Sequence, residues 1–412
     1  MLQLRPDHQV QLLQGSEAFF PALVQAIDQS VCEVRLETYI FSAQASGEQV
    51  ALALERAARR GVAVYLVLDG VGTPALALDW AARFNAAGVK WRIFSPLGRF
   101  GLFIPSRWRR LHRKLCVVDG SVAFCGGINL LDDLYDPNYG VLAAPRFDFA
   151  VRVTGPLVQT VHQALTQFWW RLQAVSHVRQ SDFPGAWRSL QEALTLASQA
   201  RSEKDKSQGV ARLPVGRAEG HSSHADLVLR DNLRNRSRIE RAYRKAIGEA
   251  RHEIIIANAY FVPGRKLRKA LIHAARRGVQ VRLLLQGRYE YFMQYHAARP
   301  VYGALLAAGV EIYEYSVSFL HAKVAVIDTH WATVGSSNLD PLSLLLAREA
   351  NVVLDDVSFA QDLRQRLEHA MTQECTRVDP KLYANRPWRQ RFLDRLAFGL
   401  MRVLLFLTGN HY

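Results

Sequence analysis

The chain carries one short pattern of reactive and small residues twice, and this repeat limits the architecture more than any other feature of the sequence. His112-Arg113-Lys114 is followed by Asp119, Gly126, Gly127 and Asn129, and His321-Ala322-Lys323 by Asp328, Gly335, Ser336 and Asn338. In both copies Lys stands two residues after His, Asp seven after and Asn seventeen after. Markers outside the pattern recur in the same order. Ala57-Ala58-Arg59-Arg60-Gly61-Val62 returns as Ala274-Ala275-Arg276-Arg277-Gly278-Val279, and Ala86-Ala87-Gly88-Val89 as Ala307-Ala308-Gly309-Val310. Repetition of both the pattern and its surroundings implies two copies of one fold in a single chain.

At 412 residues the chain has room for two domains of ordinary size. Each half begins as an alternation of helix and strand, which implies an α/β sandwich. In the first half Val31 to Phe41, Val62 to Leu68, Trp91 to Phe94 and Leu115 to Val118 read as strands, with helices over Gly47 to Arg60 and Leu76 to Ala87. The second half reads as helices over Ser237 to Ala250, Leu267 to Arg277 and Val301 to Ala308. Its strands are Glu253 to Tyr260, Val279 to Leu285, Val310 to Tyr315 and Val324 to Ile327. The expected organisation is a first half over 1–197, a polar linker or excursion over 198–223, a second half over 224–380 and a basic amphipathic segment over 381–412.

Lys and Arg number 52 against 37 Asp and Glu, a formal net charge of +15, so an acidic partner is expected. Nucleic acid and an anionic membrane both meet that requirement. Arg107, Arg109, Arg110 and Arg113 crowd around the first motif, a run that taken alone reads as solvated surface. The four cysteines, Cys32, Cys116, Cys125 and Cys375, have no metal-ligand spacing and fit a reduced setting. The N-terminus lacks the apolar core of a signal peptide, and no apolar run has the length of a spanning helix. Any membrane contact is therefore expected from one side. Two segments suit such contact. Leu97 to Trp108 mixes Phe100, Leu102, Phe103 and Ile104 with Arg99 and Arg107, the alternative being a buried loop. From Trp388, Phe392, Leu396, Leu400, Val403 and Leu407 share one helical face while Arg391, Arg395 and Arg402 share another. Periodicity alone leaves that helix either in a bilayer interface or packed on the protein's own core.

Residues two apart on a strand share a face, so His112 lies beside Lys114 and His321 beside Lys323. Asn129 and Asn338 follow glycine-containing strand ends, where a ligand can approach the backbone. Six such side chains, brought together by packing of the halves, suit a phosphodiester. Ammonium and amide donors hold the non-bridging oxygens, one neutral imidazole attacks phosphorus, and the other, protonated, serves the leaving alkoxide.

The paired HxKxxxxD patterns, each followed by GGxN or GSxN, resemble the phospholipase D superfamily over nearly the whole chain. Leu111-His112-Arg113-Lys114, Phe124-Cys125-Gly126-Gly127-Ile128-Asn129, His321-Ala322-Lys323, Trp331 to Pro341 and Ile255 to Phe261 are most similar to bacterial cardiolipin synthases of the B type. The resemblance implies two pseudo-twofold-related α/β/α halves forming one bilobal unit. It also implies transfer of a phosphatidyl group from one phosphatidylglycerol to another through a phosphatidyl-histidine, releasing glycerol. His112 is then the nucleophile and His321 the general acid and base, the reverse assignment remaining open from sequence. A hydrolytic phospholipase D and a nuclease of the same superfamily are the alternatives, with a catalytically silent lipid-binding scaffold behind them. Nucleic acid is not the expected partner, because a nuclease needs neither the C-terminal amphipathic segment nor the apolar loop. Phosphatidylglycerol and an anionic membrane surface are expected instead, a second phospholipid donor remaining open. The expected place is the cytoplasmic face of a bacterial cell membrane, peripherally bound.

Asp119 and Asp328 complete the motif and are counted with its catalytic residues. Their odd spacing from His turns them away from it along a strand, so a part in the following turn fits at least as well. A catalytic imidazole wants a carboxylate on its second nitrogen. Glu349, 28 residues beyond His321, is the candidate for that ring, and Asp148, 36 beyond His112, for the first. Each has an ordinary surface ion pair as its alternative. Neither metal nor cofactor is expected, since the histidines lack ligand spacing and lysine already supplies the positive charge.

Overall fold

The computed structural model describes residues 2–99, 101, 104–136, 138–179, 181–206, 223–231, 235, 237–288, 292–340 and 347–407. In the first half, strands Glu33–Thr38, Ala63–Asp69 and Lys90–Phe94 run parallel, with Leu36 opposite Leu66 and Leu66 opposite Trp91. Helices Ser46–Arg59 and Leu78–Ala87 make the crossovers that parallel pairing demands. Strands Lys114–Val118, Val122–Gly126, Phe149–Thr154 and Arg5–Gln14 continue the sheet in antiparallel sense. The second half repeats this order with Glu311–Tyr315, Gln280–Gln286, Glu253–Asn258, Lys323–Ile327, Trp331–Gly335, Ala347–Asp355 and Ser223–Arg230. The half-sheets join where Arg5–Gln14 pairs with Ser223–Arg230, Arg5 opposite Ala225 and His8 opposite Ser223. The duplicated α/β architecture expected from the repeat is the one observed.

Both faces of the sheet are covered, which is why Glu253–Asn258 and Lys323–Ile327 are buried at every position and carry near-continuous apolar runs. One apolar core lies under helices Gly15–Asp28, Ser46–Arg59 and Leu78–Ala87, a second under Arg238–Glu249, Arg265–Arg276 and Phe292–Leu306. A third is shared: Leu115, Val117 and Val151 of one half pack with Val324, Ala332 and Val352 of the other, beneath helices Leu157–Arg179 and Val357–Gln373. The halves therefore form one apolar unit. Helix Phe183–Lys206 reaches past the boundary expected at 197, and Ser223, the last residue assigned to the linker, already opens a strand. Of that linker, 207–222 lie outside the described residues, as do Phe100, Leu102 and Phe103 of the apolar loop.

Two expectations about charged segments change. Arg110 and Arg113 are not solvated. Arg110 donates to the carbonyls of Ser95, Arg107 and Trp108 and meets the Asp69 carboxylate at 3.2 Å. Arg113 and Glu37 form a buried ion pair, 5% and 2% exposed at their side chains. Desolvation pushes the Glu37 carboxyl above its ordinary value, and Arg113 opposes that rise. The equivalent positions of the second half hold Ala257 and Ala322. The C-terminal helix, Trp388–Leu407, packs by one face on helix Phe292–Leu306 of the protein's own fold. Asp394 and Ala397 face inward, with Asp394 held by His296 at 2.7 Å and Arg386 at 2.9 Å. Phe392, Leu396 and Leu400 are 60, 57 and 51% exposed, so this part of the apolar stripe turns away from the core, the side chains of Val403 and Leu407 lying outside those described. Among the described residues no helix is long and apolar enough to cross a membrane.

Removing one member of a buried ion pair strands the other charge. Arg113→Ala is expected to lower stability by roughly 3–5 kcal/mol. The double variant Arg113→Ala with Glu37→Ala, which restores the alanine pair of the second half, is expected to melt above the single variant. Thermal denaturation of both checks this.

Candidate active site

Each histidine immediately precedes a strand that starts at its lysine, Lys114–Val118 or Lys323–Ile327. The residue before each histidine is anchored in the same way in both halves. Leu111 N–H donates to Asp69 Oδ2 at 2.6 Å and Leu320 N–H to Gln286 Oε1 at 3.1 Å. The next anchor crosses between halves. His112 N–H donates to the Arg348 carbonyl at 3.1 Å, and His321 N–H to the Phe147 carbonyl at 2.9 Å.

The carboxylates cross with the backbone. Glu349 lies 3.0 Å from His112 Nδ1, and Asp148 lies 2.6 Å from His321 Nδ1. Both assignments made from sequence are thereby exchanged: Glu349 serves the first histidine and Asp148 the second. The cause is topological. Glu349 opens the strand Ala347–Asp355, whose Ala347 and Arg348 pair with Arg110 and Leu111 just before His112. Phe147, just before Asp148, bridges to Leu320 just before His321. Both carboxylates are buried, Asp148 at 3% and Glu349 at 0% exposure, so neither is a surface ion pair. With Nδ1 of each ring engaged, Nε2 is the nitrogen presented to a substrate.

Lys114 Nζ donates to the carbonyl of His112 at 2.7 Å, and Lys323 Nζ to that of His321. The two ammonium groups disfavour one another. Desolvation first, and the charge of Lys323 second, push Lys114 down to about 7. The Tyr39 ring lies 4.9 Å from the His112 imidazole and 5.4 Å from Lys114 Nζ, a contact that sequence reading did not single out. Asn129 Oδ1 accepts from Ile40 N–H at 3.2 Å, which fixes its carboxamide. Asn338 is 2% exposed and its oxygen is buried without a protein partner. In that half the adjoining loop is pinned from the other side, by Asn258 Oδ1 accepting from Leu339 N–H at 3.1 Å. The two asparagines are thus held differently despite identical spacing.

Asp119 and Asp328 are not in this cluster. Asp119, with φ of 50°, accepts from the N–H groups of Val31, Cys32 and Glu33 at 2.7–2.8 Å. Asp328, also at 50°, accepts from Arg251, His252 and Glu253 at 2.7–3.0 Å. Burial alone would raise both carboxyls, but the backbone donors together hold them below their ordinary values. These aspartates close the turn at the far end of the strand that begins at Lys. Their place among the catalytic residues is corrected to a structural one, in keeping with the odd spacing.

The half-sites differ most at the second glycine position. Ser336 Oγ donates to Glu349 Oε2 at 2.5 Å. Its counterpart is Gly127, where a Cβ would stand 2.3 Å from Asp148 Oδ1, so only glycine leaves room for that carboxylate. The Gly-Ser against Gly-Gly difference was visible in the sequence, though nothing there told which carboxylate it touched. Its electrostatic consequence is direct. Desolvation acts to raise Glu349, but His112, Lys114 and Ser336 outweigh it and hold the carboxyl below its ordinary value. Desolvation pushes Asp148 up to about 7, opposed by Lys323 and the Phe149 N–H. His112 is lowered by burial and partly restored by Glu349, whereas burial with Lys323, Lys114 and His112 drives His321 well below its ordinary value. The first pair is therefore an anionic carboxylate with a neutral imidazole. In the second, burial raises Asp148 and lowers His321, so the neutral forms of both groups are favoured in the free protein.

Two tests follow from these placements. Asp119→Ala is expected to lower stability by about 1–3 kcal/mol through loss of its backbone bonds, with turnover per folded molecule little changed; denaturation and active-site titration separate the two. A free-protein Lys114 near 7 gains its proton on binding an anion, so tungstate, a tetrahedral dianion, is expected to bind more weakly as pH rises through about 7. Deprotonation of Asp148 over the same interval acts in the same direction. Calorimetry with wild type and Lys114→Met reads the effect as a shallower pH slope in the variant.

The family described as "Cardiolipin synthase, PLD-like domain" matches this chain twice, over residues 23–145 and 243–371, once for each half. Cardiolipin synthase B of Salmonella typhi is 38% identical over 405 residues, spanning 98% of this chain and 90% of that protein. Its namesake from Escherichia coli strain K12 gives the same identity and coverage. Among solved structures, phosphatidylserine synthase of Haemophilus influenzae Rd KW20 superposes with a TM-score of 0.65 at 14% identity, covering 97% of this chain and 94% of that one, which establishes a shared fold. Two family matches, each enclosing one of the two crossed histidines, with 38% identity to these relatives over 98% of the chain, place the chain in the cardiolipin synthase family of phospholipase D-like phosphatidyltransferases.

Proposed function

We propose that the chain joins two phosphatidylglycerol molecules into cardiolipin by two displacements at phosphorus, with His112 as nucleophile. The observation that carries the assignment is the unequal setting of the two carboxylates: Ser336 Oγ donates to Glu349, whereas Gly127 leaves Asp148 without that donor. Glu349, kept anionic by His112, Lys114 and Ser336, holds the proton of His112 on Nδ1 and leaves a lone pair on Nε2. Asp148 and His321 retain one transferable proton, which the negative charge of a bound phosphodiester draws onto the imidazole.

In the first displacement Nε2 of His112 bonds to phosphorus and the phosphorus–oxygen bond to glycerol breaks. His321 gives its proton to the departing alkoxide. In the second, a glycerol hydroxyl of another phosphatidylglycerol gives its proton to His321 and attacks phosphorus, and the phosphorus–nitrogen bond breaks. Lys114, Lys323 and the fixed Asn129 amide hold the non-bridging oxygens, stabilising the charge that develops in each transition state. Since lysine supplies that charge, activity is expected to survive EDTA.

Substrate of this kind lies in a bilayer, and the C-terminal helix supports binding there. Phe392, Leu396 and Leu400 are exposed on a helix whose inner face is anchored by Asp394 and Ala397, with Arg389, Arg391 and Arg395 exposed on the same helix. Apolar side chains entering the acyl boundary between cations that meet lipid phosphates suit an anionic interface.

Purified protein incubated with phosphatidylglycerol in mixed micelles is expected to yield cardiolipin by mass spectrometry, reduced by about a thousandfold or more in His112→Ala. Phosphatidic acid alone would make water the acceptor, and no lipid product from folded protein would point to nucleic-acid substrates. A phosphatidyl adduct trapped on His321 would reverse the assigned roles.

A further inference from the structure

We infer that the cleft between helices Arg238–Glu249 and Arg265–Arg276 is a second anionic-phospholipid site, which docks the protein on a charged bilayer apart from the catalytic centre. The inference rests on the reading of the chain as an enzyme of membrane phospholipids. The cleft has a volume of about 790 Å³, and Arg238, Arg241, Lys245, Lys266, Lys269 and His273 line it with no carboxylate among the lining residues. Lys245 meets Glu249 at 3.9 Å, both 68% exposed, a loose surface contact. Arg241, Lys266 and Lys269 are exposed. Arg277, at the lower end, caps the first helix by donating to the carbonyls of Ile247, Gly248 and Ala250 and is structural.

The duplicated half supplies an internal control. The equivalent helices, Gly15–Asp28 and Ser46–Arg59, carry two Lys or Arg where this pair carries nine. Those two are neutralised, Arg56 by Asp28 at 2.7 Å and Arg59 by Glu55 at 2.7 Å. The fold does not require a basic cleft at this place, and one copy alone has it.

Position favours lipid over other polyanions. Arg230 pairs with Glu349, and Asn258 with Lys323, so the ends of the strands that lead into these helices lie at the active-site end of the sheet. Both helices start from that end, so the cleft between them runs from the active-site end of the sheet, at Arg238 and Lys266, toward the far end, at Gly248 and His273. Helices Arg238–Glu249, Arg265–Arg276 and Phe292–Leu306 lie side by side, and Trp388–Leu407, with its exposed Phe392, Leu396 and Leu400, packs on the last of them. A bilayer offers phosphate to the cleft and acyl chains to that stripe at once. Nucleic acid would leave the stripe in water.

The test uses full-length protein and the variant Arg241→Gln, Lys266→Gln, Lys269→Gln, all three exposed positions outside the catalytic cluster. Co-sedimentation is measured with phosphatidylcholine vesicles that either lack or contain phosphatidylserine. Each cation removed costs roughly fivefold near an anionic surface, so the variant is expected to lose on the order of a hundredfold in partition onto the charged vesicles. Its turnover of monomeric short-chain phosphatidylglycerol should equal that of wild type. Equal vesicle binding by the two proteins, wild-type binding indifferent to phosphatidylserine, or a loss seen instead with duplex DNA or inorganic phosphate would each overturn the inference. Absence of cardiolipin from short-chain substrate in both proteins would count against the proposed reaction while leaving the vesicle result to decide the cleft.

Discussion

Neither imidazole of the repeated motif takes its carboxylate from its own half of the molecule. His112 takes its carboxylate from Glu349 and its backbone acceptor from Arg348, while His321 takes Asp148 and Phe147. These four contacts reach across the pseudo-twofold axis, and the shared core fixes their length. Val117 and Val151 pack with Val324 and Val352 beneath helices contributed by both halves. A slip between the half-sheets would separate both imidazoles from their carboxylates together, so positioning of the site and association of the halves are one constraint. This is why the chain needs a continuous sheet through Arg5–Gln14 and Ser223–Arg230 as well as the site residues themselves.

The same crossing explains where sequence reading succeeds and fails. The strands and helices expected over 31–118 and 237–327 were legible because apolar periodicity is local, and their observed ends fall within a few residues of the expected ones, whereas strands Arg5–Gln14, Phe149–Thr154, Ser223–Arg230 and Ala347–Asp355 and helices Gly15–Asp28, Leu157–Arg179 and Val357–Gln373 were not read from the sequence. Helix Phe292–Leu306 is the exception, beginning nine residues before the expected Val301 and running through Pro300. The two histidines and two lysines were legible because the motif is repeated at equal spacing. Glu349 and Asp148 were legible as carboxylates of the right kind, but their partners were not. Distance along the chain favours a partner in the same half, while strand pairing sets Arg348 beside Leu111 and Phe147 beside Leu320. Tyr39 and the Ser336 hydroxyl were missed because each matters only through a side chain that folding brings beside it, His112 and Glu349 respectively. Conversely, the alternation rule did place Asp119 and Asp328 away from the imidazoles, where three backbone N–H groups now account for each.

Equal spacing also conceals unequal chemistry. Phosphoryl transfer through a covalent intermediate needs one imidazole that begins without a proton on its reacting nitrogen and one that begins with a proton to give. Two identical half-sites would divide these states at random. Here a single position, Ser336 against Gly127, helps separate them: the hydroxyl supports the Glu349 anion, whereas the glycine only makes room for Asp148. The lysines add to the difference by lying close enough for one ammonium to depress the other.

Duplication within one chain is what permits such divergence. A homodimer built from one half would have to carry Ser or Gly in both sites, and the Arg113–Glu37 pair in both or neither. In the fused chain the first half keeps that buried pair where the second has Ala322 and Ala257, and the second half alone carries the basic cleft between its outer helices. Each difference lies on a different layer: the site, the sheet interior and the outer surface. The shared core between the halves shows no comparable asymmetry in kind, being apolar on both sides. Divergence is thus free where the two halves face different neighbours and restrained where they face each other, which is the pattern expected if the interface must keep both crossed imidazole pairs in register at once.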